Sequence, residues 1–128
     1  MKQPYGRIAL IGLGLIASSI FWAAKRARLN SQITGYARSV ATRDTARRIG
    51  LCDVVCDSAV VAVEDADLVI LCVPVGAMET VAAEIAPALK PGATVSDVGS
   101  VKRAVIDAVA PHLPVNVDFV PAHPLAGT

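Results

Sequence analysis

Apolar runs and helical patterns alternate along this chain. Residues 7–12 form a short run rich in isoleucine and leucine that ends in glycine, whereas from residue 15 to about residue 29 the apolar positions recur at helical spacing. The alternation continues to the last residues. It predicts strands at 7–12, 32–37, 65–75, 93–99 and 115–122, a short element at 53–57, and helices at 15–29, 39–50, 78–92 and 100–113.

This alternation predicts the fold class. Several strands are uninterrupted apolar runs, such as "LVILCV" at 68–73, which is typical of a parallel sheet covered on both faces. Gly50 is expected to end the second helix, and Pro87 is expected to break the third. We therefore predict an α/β protein with a doubly wound, mostly parallel sheet, the Rossmann dinucleotide-binding fold.

A glycine motif lies between the first strand and the first helix. "GLGLIA" places Gly12, Gly14 and Ala17 at the three positions of the dinucleotide-binding fingerprint. Gly12 permits a tight turn, Gly14 lets the backbone approach a pyrophosphate, and Ala17 allows close packing of helix and strand. The amides of Gly14, Leu15 and Ile16 are then expected to face the phosphates. The alternative is a glycine-rich turn that holds no ligand.

Composition excludes other classes of protein. A length of 128 residues fits one domain, and with a net charge of +1 the basic clusters at 25–28 and 46–48 are interpreted as solvated helix faces. No nucleic-acid partner is therefore expected. The first 25 residues resemble a signal peptide, but Gly12 and Gly14 interrupt the apolar stretch and the strand-helix pattern needs it as its first unit. We expect neither export nor insertion into a membrane.

The cysteines point to a reducing compartment. Cys52, Cys56 and Cys72 are odd in number, and no histidine lies at metal-ligand spacing from the first two. Buried, reduced thiols in a cytoplasmic protein and the absence of a metal site are the simplest interpretation.

The end of the second predicted strand bears on the choice of cofactor. NAD enzymes usually place a carboxylate there to bind the ribose 2′-hydroxyl, but this chain has Ala37 followed by Arg38. Ser39 and Thr42 add hydroxyl groups. Because an arginine can stack on adenine and pair with a 2′-phosphate, we predict that NADP is favoured over NAD. If Arg38 is only a surface residue at the start of a helix, NAD remains the alternative.

Loops that follow the strands supply the candidate catalytic residues. In a doubly wound sheet the ligand lies outside the carboxyl ends of the strands, where three loops are expected to meet. These loops contain Cys72, Val73 and Pro74, then Gly99 and Ser100, and finally His123. His123 can accept a proton from a substrate hydroxyl at neutral pH, and Ser100 can hold that hydroxyl or the base. Alternatively, Ser100 is a helix N-cap and His123 shapes a turn before a proline. Asp97 is expected to be a structural cap, and His112 a surface residue.

Five stretches together resemble one family. "GLGLIASS", "GYARS", "CVPV", "SDVGSVK" and "PAHPLAGT" occur in this order, and they resemble the N-terminal domain of the prephenate dehydrogenase family, which includes cyclohexadienyl and arogenate dehydrogenases. The resemblance covers essentially the whole chain. It implies oxidation of prephenate or arogenate on the route to tyrosine, with transfer of a hydride to the nicotinamide and loss of carbon dioxide.

The resemblance also implies roles and a domain boundary. It assigns His123 as the catalytic base, Ser100 as a substrate-contacting residue, and Thr128 as the last residue of the family's "HPxAGT" motif. Family members continue into a helical domain that binds substrate and forms a homodimer. Residues 1–128 are therefore expected to be the dinucleotide-binding domain alone, able to bind cofactor but to turn over little substrate. The alternatives are the cofactor domain of another hydroxyacid or imine reductase, and a stand-alone nucleotide-binding module.

Overall fold

The computed structural model describes residues 5–122 of the chain. Within that range the elements are strands β1 (Arg7–Ile11), β2 (Gln32–Tyr36), β3 (Val54–Val55), β4 (Leu68–Leu71), β5 (Thr94–Asp97) and β6 (Asp118–Phe119), with helices α1 (Leu15–Arg26), α2 (Val40–Ile49), α3 (Ala59–Val63), α4 (Val75–Ile85) and α5 (Lys102–Val109). Single turns of 3₁₀ helix, Ala86–Ala88 and Ala110–His112, extend α4 and α5.

The strands form one sheet in the order β3-β2-β1-β4-β5-β6, and every pair is parallel. The prediction of a doubly wound α/β fold is confirmed. The chain runs outward from β1 to β3, crosses back, and then runs outward in the other direction from β4 to β6. The strand order therefore reverses between β1 and β4, which is where a doubly wound sheet binds its ligand.

Side chains of β1 explain why its sequence is an uninterrupted apolar run. Ile8 and Leu10 point into the core formed with α1 and α2, where Phe21 is buried. Ala9 and Ile11 point to the opposite face, into the core formed with α3, α4 and α5. Because helices cover both faces, neither set of alternating positions can be polar.

Helix ends differ from the predicted ones for local reasons. The first helix stops at Arg26, three residues early, because Arg28 adopts a left-handed conformation with φ 58°. The second ends at Gly50 (φ 74°) as predicted. The helix predicted at 78–92 begins at Val75 instead and gives way to 3₁₀ geometry at Ala86, next to Pro87. Here the break at proline was predicted correctly, but the start was not.

Two other differences concern short elements. Helix α3 was not predicted, because its five residues are mostly valines, which favour strands; Ser58 nevertheless caps it by accepting a hydrogen bond from the amide of Val61. The last strand is two residues long instead of eight. Residues 115–116 form a turn in which the carbonyl of Asn116 accepts a hydrogen bond from the amide of Gly92.

Asp67 holds together the amino ends of the central strands. Its Oδ2 atom accepts hydrogen bonds from the amides of Gly6 (2.8 Å) and Arg7 (3.0 Å), and its Oδ1 atom pairs with Lys90. The hydrogen bond from Lys90, together with that from the Arg7 amide, lowers the pKa of the Asp67 carboxyl. The carboxylate thus stabilises the edge of the sheet opposite to the carboxyl ends of the strands.

A lowered carboxyl pKa predicts an acid-dependent loss of stability. The contribution of Asp67 is present above the carboxyl's unfolded-state pKa of about 4 and is lost as the pH falls through the lower folded-state value. We expect Asp67→Asn to lower the free energy of unfolding at neutral pH and to reduce its further loss on acidification, as measured by urea denaturation across this pH range. Asp107→Asn, at an exposed position of α5, is the matched control. An unchanged pH dependence in Asp67→Asn would contradict this role.

Candidate dinucleotide-binding site

Gly12 occupies the turn that follows β1, and the fold requires a glycine there. Its φ is +99°, and its amide donates a hydrogen bond to the carbonyl of Tyr36 (2.8 Å). A Cβ atom at this position would lie 2.7 Å from the carbonyl oxygen of Cys72 and 2.9 Å from Cγ1 of Val73. The backbones after β1 and β4 therefore approach each other too closely for any side chain at position 12.

Gly14 is different, because the described chain does not require a glycine at this position. Its φ of −94° is open to other residues, and a Cβ atom added to it would meet no heavy atom within 4 Å among residues 5–122, its chain neighbours aside. The space above this backbone is open. A phosphate group could approach it as closely as the glycine motif predicts.

The first turn of α1 presents its amides at this open surface. Gly14 is the N-cap and supplies no side-chain capping bond, and the first turn contains no acidic residue. Leu15 and Ile16 are exposed, whereas Ala17 is fully buried against the sheet. Free amides at the positive end of a twelve-residue helix favour an anion.

A cleft of about 620 Å³ adjoins this turn at the carboxyl edge of the sheet. It brings together Gly12, Arg38, Val73 and Pro74, which the sequence singled out from three separate loops. Its remaining walls come from the ends of β1 and β2 and from one side of α4: Ile11, Tyr36, Gly76, Ala77, Thr80, Val81 and Glu84. The cleft therefore lies between the ends of β2 and β4 and spans the point where the strand order reverses.

A second cavity of about 450 Å³ lies between α1 and α2, on the other side of the glycine turn. It shares Gly14 and Leu15 with the open surface and also contains Ser18, Thr42 and Thr45. The strand ends do not line this cavity, so the general position of ligands in doubly wound sheets favours the first cleft.

The turn after β2 exposes Arg38 and buries Ala37. Ala37 is 6% exposed, while Arg38 is exposed at the cleft. Ser39, not Arg38, caps α2, because its hydroxyl oxygen accepts a hydrogen bond from the amide of Thr42 (3.3 Å). Arg38 is thus a surface residue directly before the N-cap, and it makes no capping bond itself.

The thiol of Cys72 is not a reactive group in this arrangement. Burial raises its pKa to about 12, as it does that of Cys52, so both thiols are protonated at neutral pH. What Cys72 contributes to the site is its backbone carbonyl, which contacts Gly12. Cys52 and Cys56 are buried and free, as predicted, whereas Cys72 is free but only partly buried, so the prediction of a buried thiol is not met there.

Asp97 ties together the loops after β5 and β6. It is fully buried at the end of β5, where it accepts hydrogen bonds from the amides of Gly99 (2.7 Å) and Ala122 (3.3 Å) and pairs with Lys102 of α5. The lysine compensates a charge that would otherwise be costly to bury. The expectation of a cap is therefore wrong in detail: α5 begins at Val101 without a side-chain cap, and Asp97 instead joins two loops and a lysine of the helix.

The candidate catalytic residues lie beside or beyond this junction. Ser100 is exposed, and the N-cap of α5 is Val101, so Ser100 does not cap the helix. A Cβ atom on Gly99 would meet Cγ2 of Val105 at 2.7 Å, so the turn before Ser100 also requires a glycine. His123 and Thr128 lie outside the described residues, and Asp97 holds the residue before His123.

Three further expectations concern His112, metal ions and membrane-spanning helices. His112 is half-buried and lies 3.2 Å from Glu79, so it forms a pair between two helices instead of standing alone on the surface. Within residues 5–122 no group of three metal-ligating side chains is placed to hold an ion. No helix of the described part is long and apolar enough to cross a membrane.

Sequence reasoning missed several residues of the site. Tyr36 and Ala77 line the cleft but were not singled out, and the signal for Tyr36 was its place at the end of the second strand. Lys102 carries no motif of its own that pairs it with Asp97. These contacts follow from how the loops are arranged in space.

Comparison with known proteins places the chain in a well-defined group. The family model described as "Prephenate dehydrogenase, nucleotide-binding domain" matches residues 22–128. A cyclohexadienyl dehydrogenase of Zymomonas mobilis is 48% identical over 97% of this chain and 42% of its own length. This chain thus spans less than half the length of that relative.

Two solved structures have the same fold. The prephenate dehydrogenase of A. aeolicus, in complex with hydroxyphenyl propionate and NAD+, is 25% identical with a TM-score of 0.76 over 95% of this chain and 42% of that one. The arogenate dehydrogenase of Synechocystis is 27% identical with a TM-score of 0.71, again over 95% and 42%.

Two alanine substitutions distinguish a glycine that the fold requires from a glycine that ligand binding requires. We expect Gly12→Ala to lower the free energy of unfolding by roughly 2–4 kcal/mol, because its Cβ would collide with the backbone of Cys72 at a positive φ. Gly14→Ala is expected to change stability by less than about 1 kcal/mol but to weaken dinucleotide binding by about tenfold or more, because its methyl group occupies the phosphate's space. Urea denaturation and titration of nicotinamide fluorescence measure the two effects. Equal destabilisation by both changes, with binding intact in Gly14→Ala, would assign both glycines to the fold.

Proposed function

Since this chain belongs to the prephenate dehydrogenase family, as its nucleotide-binding domain, we propose that it forms the cofactor half of an enzyme that oxidises prephenate or arogenate with NADP. The observation that carries this proposal is the open helix terminus at Gly14, two residues after Gly12, which lines a cleft together with Arg38. The anion-accepting amides and the cleft fit a dinucleotide laid across the switch point.

Different residues of this chain are proposed to bind different parts of the cofactor. The amides of Leu15 and Ile16 hold the pyrophosphate, and Gly14 leaves room for it. Val73 and Pro74 border the cleft on the side of β4, next to the Cys72 carbonyl that contacts Gly12. Gly99 leads to Ser100, which faces the substrate at the nicotinamide end.

The cofactor preference rests on the turn after β2. A buried Ala37 cannot supply the carboxylate that NAD enzymes use on the ribose 2′-hydroxyl. Arg38 instead offers a guanidinium group at the cleft, with the hydroxyl of Ser39 beside it. These groups support binding of a 2′-phosphate, hence NADP over NAD.

In the proposed reaction His123 acts as the base. It would take the proton of the ring hydroxyl, and a bound nicotinamide would supply the hydride acceptor for the carbon that bears this hydroxyl. The carbonyl formed there draws the electrons of the breaking carbon–carboxylate bond into the ring as carbon dioxide leaves. His123 returns its proton to the resulting phenolate. Ser100 and Thr128 are proposed to hold the substrate in place.

The rest of the enzyme is proposed from the family resemblance. A helical domain following residues 1–128 would complete the substrate site and form the homodimer. Free, buried thiols at Cys52 and Cys56 are consistent with action in the cytoplasm. Both proposed substrates are ring alcohols with two carboxylate groups, and they differ in whether the side chain is a keto acid or an amino acid.

The cofactor preference is tested at Arg38. We expect Arg38→Ala in the full-length protein to raise the Kd for NADPH by about 10- to 100-fold through loss of charged hydrogen bonds. The Kd for NADH should change less than about threefold, because NADH has no 2′-phosphate. Arg48→Ala, at an exposed position of α2, is the matched control. NADH binding as tight as NADPH binding, with no effect of Arg38→Ala on either, would refute the preference.

The reaction is tested at His123. The full-length protein, given prephenate and arogenate separately, should reduce the cofactor with at least one of them. His123→Asn should lower kcat by about 10²–10⁴-fold, the usual contribution of a general base, with little change in cofactor affinity. Absence of turnover with both substrates would overturn the proposed activity. A nearly unchanged kcat in His123→Asn would move the base to another residue.

A further inference from the structure

We propose that Arg43 determines the preference for NADP by fixing the backbone that carries Arg38, although Arg43 itself is a positioning residue and is not expected to contact the cofactor. This inference rests on the proposed function, since it concerns the same 2′-phosphate subsite. It adds a residue that the glycine motif and the strand-end rule do not identify.

Arg43 lies in the first turns of α2, and its side chain is only 11% exposed. Its Nη1 atom donates hydrogen bonds to the carbonyl oxygen of Ala37 (2.7 Å) and to that of Arg38 (3.1 Å). These carbonyls belong to the two peptide units on either side of the Arg38 α-carbon. One guanidinium nitrogen therefore restrains both φ and ψ of Arg38.

Two further contacts hold the guanidinium group of Arg43 in place. It lies over the ring of Tyr36, 5.6 Å from the ring centroid, and Tyr36 lines the cleft beside Arg38. Its Nε atom is 3.4 Å from Oδ1 of Asp57. The carbonyls, the aromatic ring and the carboxylate thus contact the group together, and its rigid planar form suits such a task.

The other end of the turn is fixed independently. Ser39 caps α2 through the amide of Thr42, so the N-cap of the helix is the residue directly after Arg38. Arg38 therefore projects from a turn that is held on both sides before any ligand arrives. Preorganisation of this kind strengthens binding, because less conformational freedom is lost when the complex forms.

The consequence for specificity follows from what Arg38 recognises. Only NADP has the 2′-phosphate, so only NADP gains from an Arg38 held in one position. A purely structural arginine would affect both dinucleotides alike. Loss of Arg43 should therefore change the ratio of the two affinities, and not merely their values.

The test compares two arginines of the same helix in the full-length protein. Arg43→Met removes both hydrogen bonds to the turn. Arg47→Met is the matched control, because Arg47 donates to the carbonyl of Val55 and to Asp57 and contacts neither peptide unit of Arg38. The Kd values for NADPH and NADH are measured by fluorescence for each variant, with the thermal midpoint as the check on folding. Arg43→Lys, which keeps the charge but loses the planar group, is the second variant if Arg43→Met does not fold.

In Arg43→Met the ratio of the NADH Kd to the NADPH Kd should fall roughly tenfold, the order expected from one charged hydrogen bond. Arg47→Met should leave the ratio unchanged, and Arg43→Lys should lower it by a smaller factor. If Arg43→Met folds and has the same Kd ratio as the unsubstituted protein, the inference is overturned. If only Arg43→Lys folds, the same result in that variant overturns it. If Arg38→Ala lowers the ratio and the Arg43 variants do not, the inference alone fails. If Arg38→Ala also leaves the ratio unchanged, the proposed 2′-phosphate site fails with it.

Discussion

The loop after β1 and the loop after β4 lie so close together that only a glycine fits at position 12. A Cβ atom there would be 2.7 Å from the carbonyl oxygen of Cys72. This approach brings the turn before α1 against Cys72 and Val73, which precede α4. The cleft depends on it, because Gly12 and Val73 meet at this contact and both line the cleft. Gly12 also donates to the carbonyl of Tyr36, at the end of the strand that leads to Arg38.

At the part of the same edge formed by β5 and β6, a buried carboxylate joins the loops, whereas after β1 and β4 the backbones themselves are in close contact. Asp97 is buried at the end of β5, and its hydrogen bonds join the turn before Ser100 to the segment that ends at Ala122. Lys102 balances the charge. One edge of the sheet thus has two fixed points, Gly12 for the proposed cofactor side and Asp97 for the proposed substrate side. Parallel strands make this arrangement possible, since all their carboxyl ends lie on one edge.

Much of the fold could be predicted from the sequence because its strongest signals are local. The apolar run that predicts β1 and the glycine at position 50 that predicts the end of α2 can each be recognised within a few residues. Two short elements were predicted less well: α3 has too few residues to show a period, and β6 is shortened by the turn at 115–116. The start of α4 was missed because Pro74 precedes it without a side-chain cap.

The same difference between local and long-range signals applies to the candidate site. Its glycine turn between strand and helix could be predicted, because the spacing of Gly12 and Gly14 follows the dinucleotide-binding fingerprint. The double hydrogen bond from Arg43 and the three-way junction at Asp97 could not, since their partners are identified only when the loops are placed in space. Gly14 shows the limit most clearly, because the motif names it and the fold gives it no task. The proposed function gives it one, as room for a phosphate group.

A crystal structure of the full-length protein with bound NADP is the most direct test of the proposed cofactor site. We expect pyrophosphate oxygens within hydrogen-bonding distance of the amides of Leu15 or Ile16, directly above Gly14, with the 2′-phosphate beside Arg38. A pyrophosphate seated elsewhere, for example in the cavity between α1 and α2, would contradict this assignment.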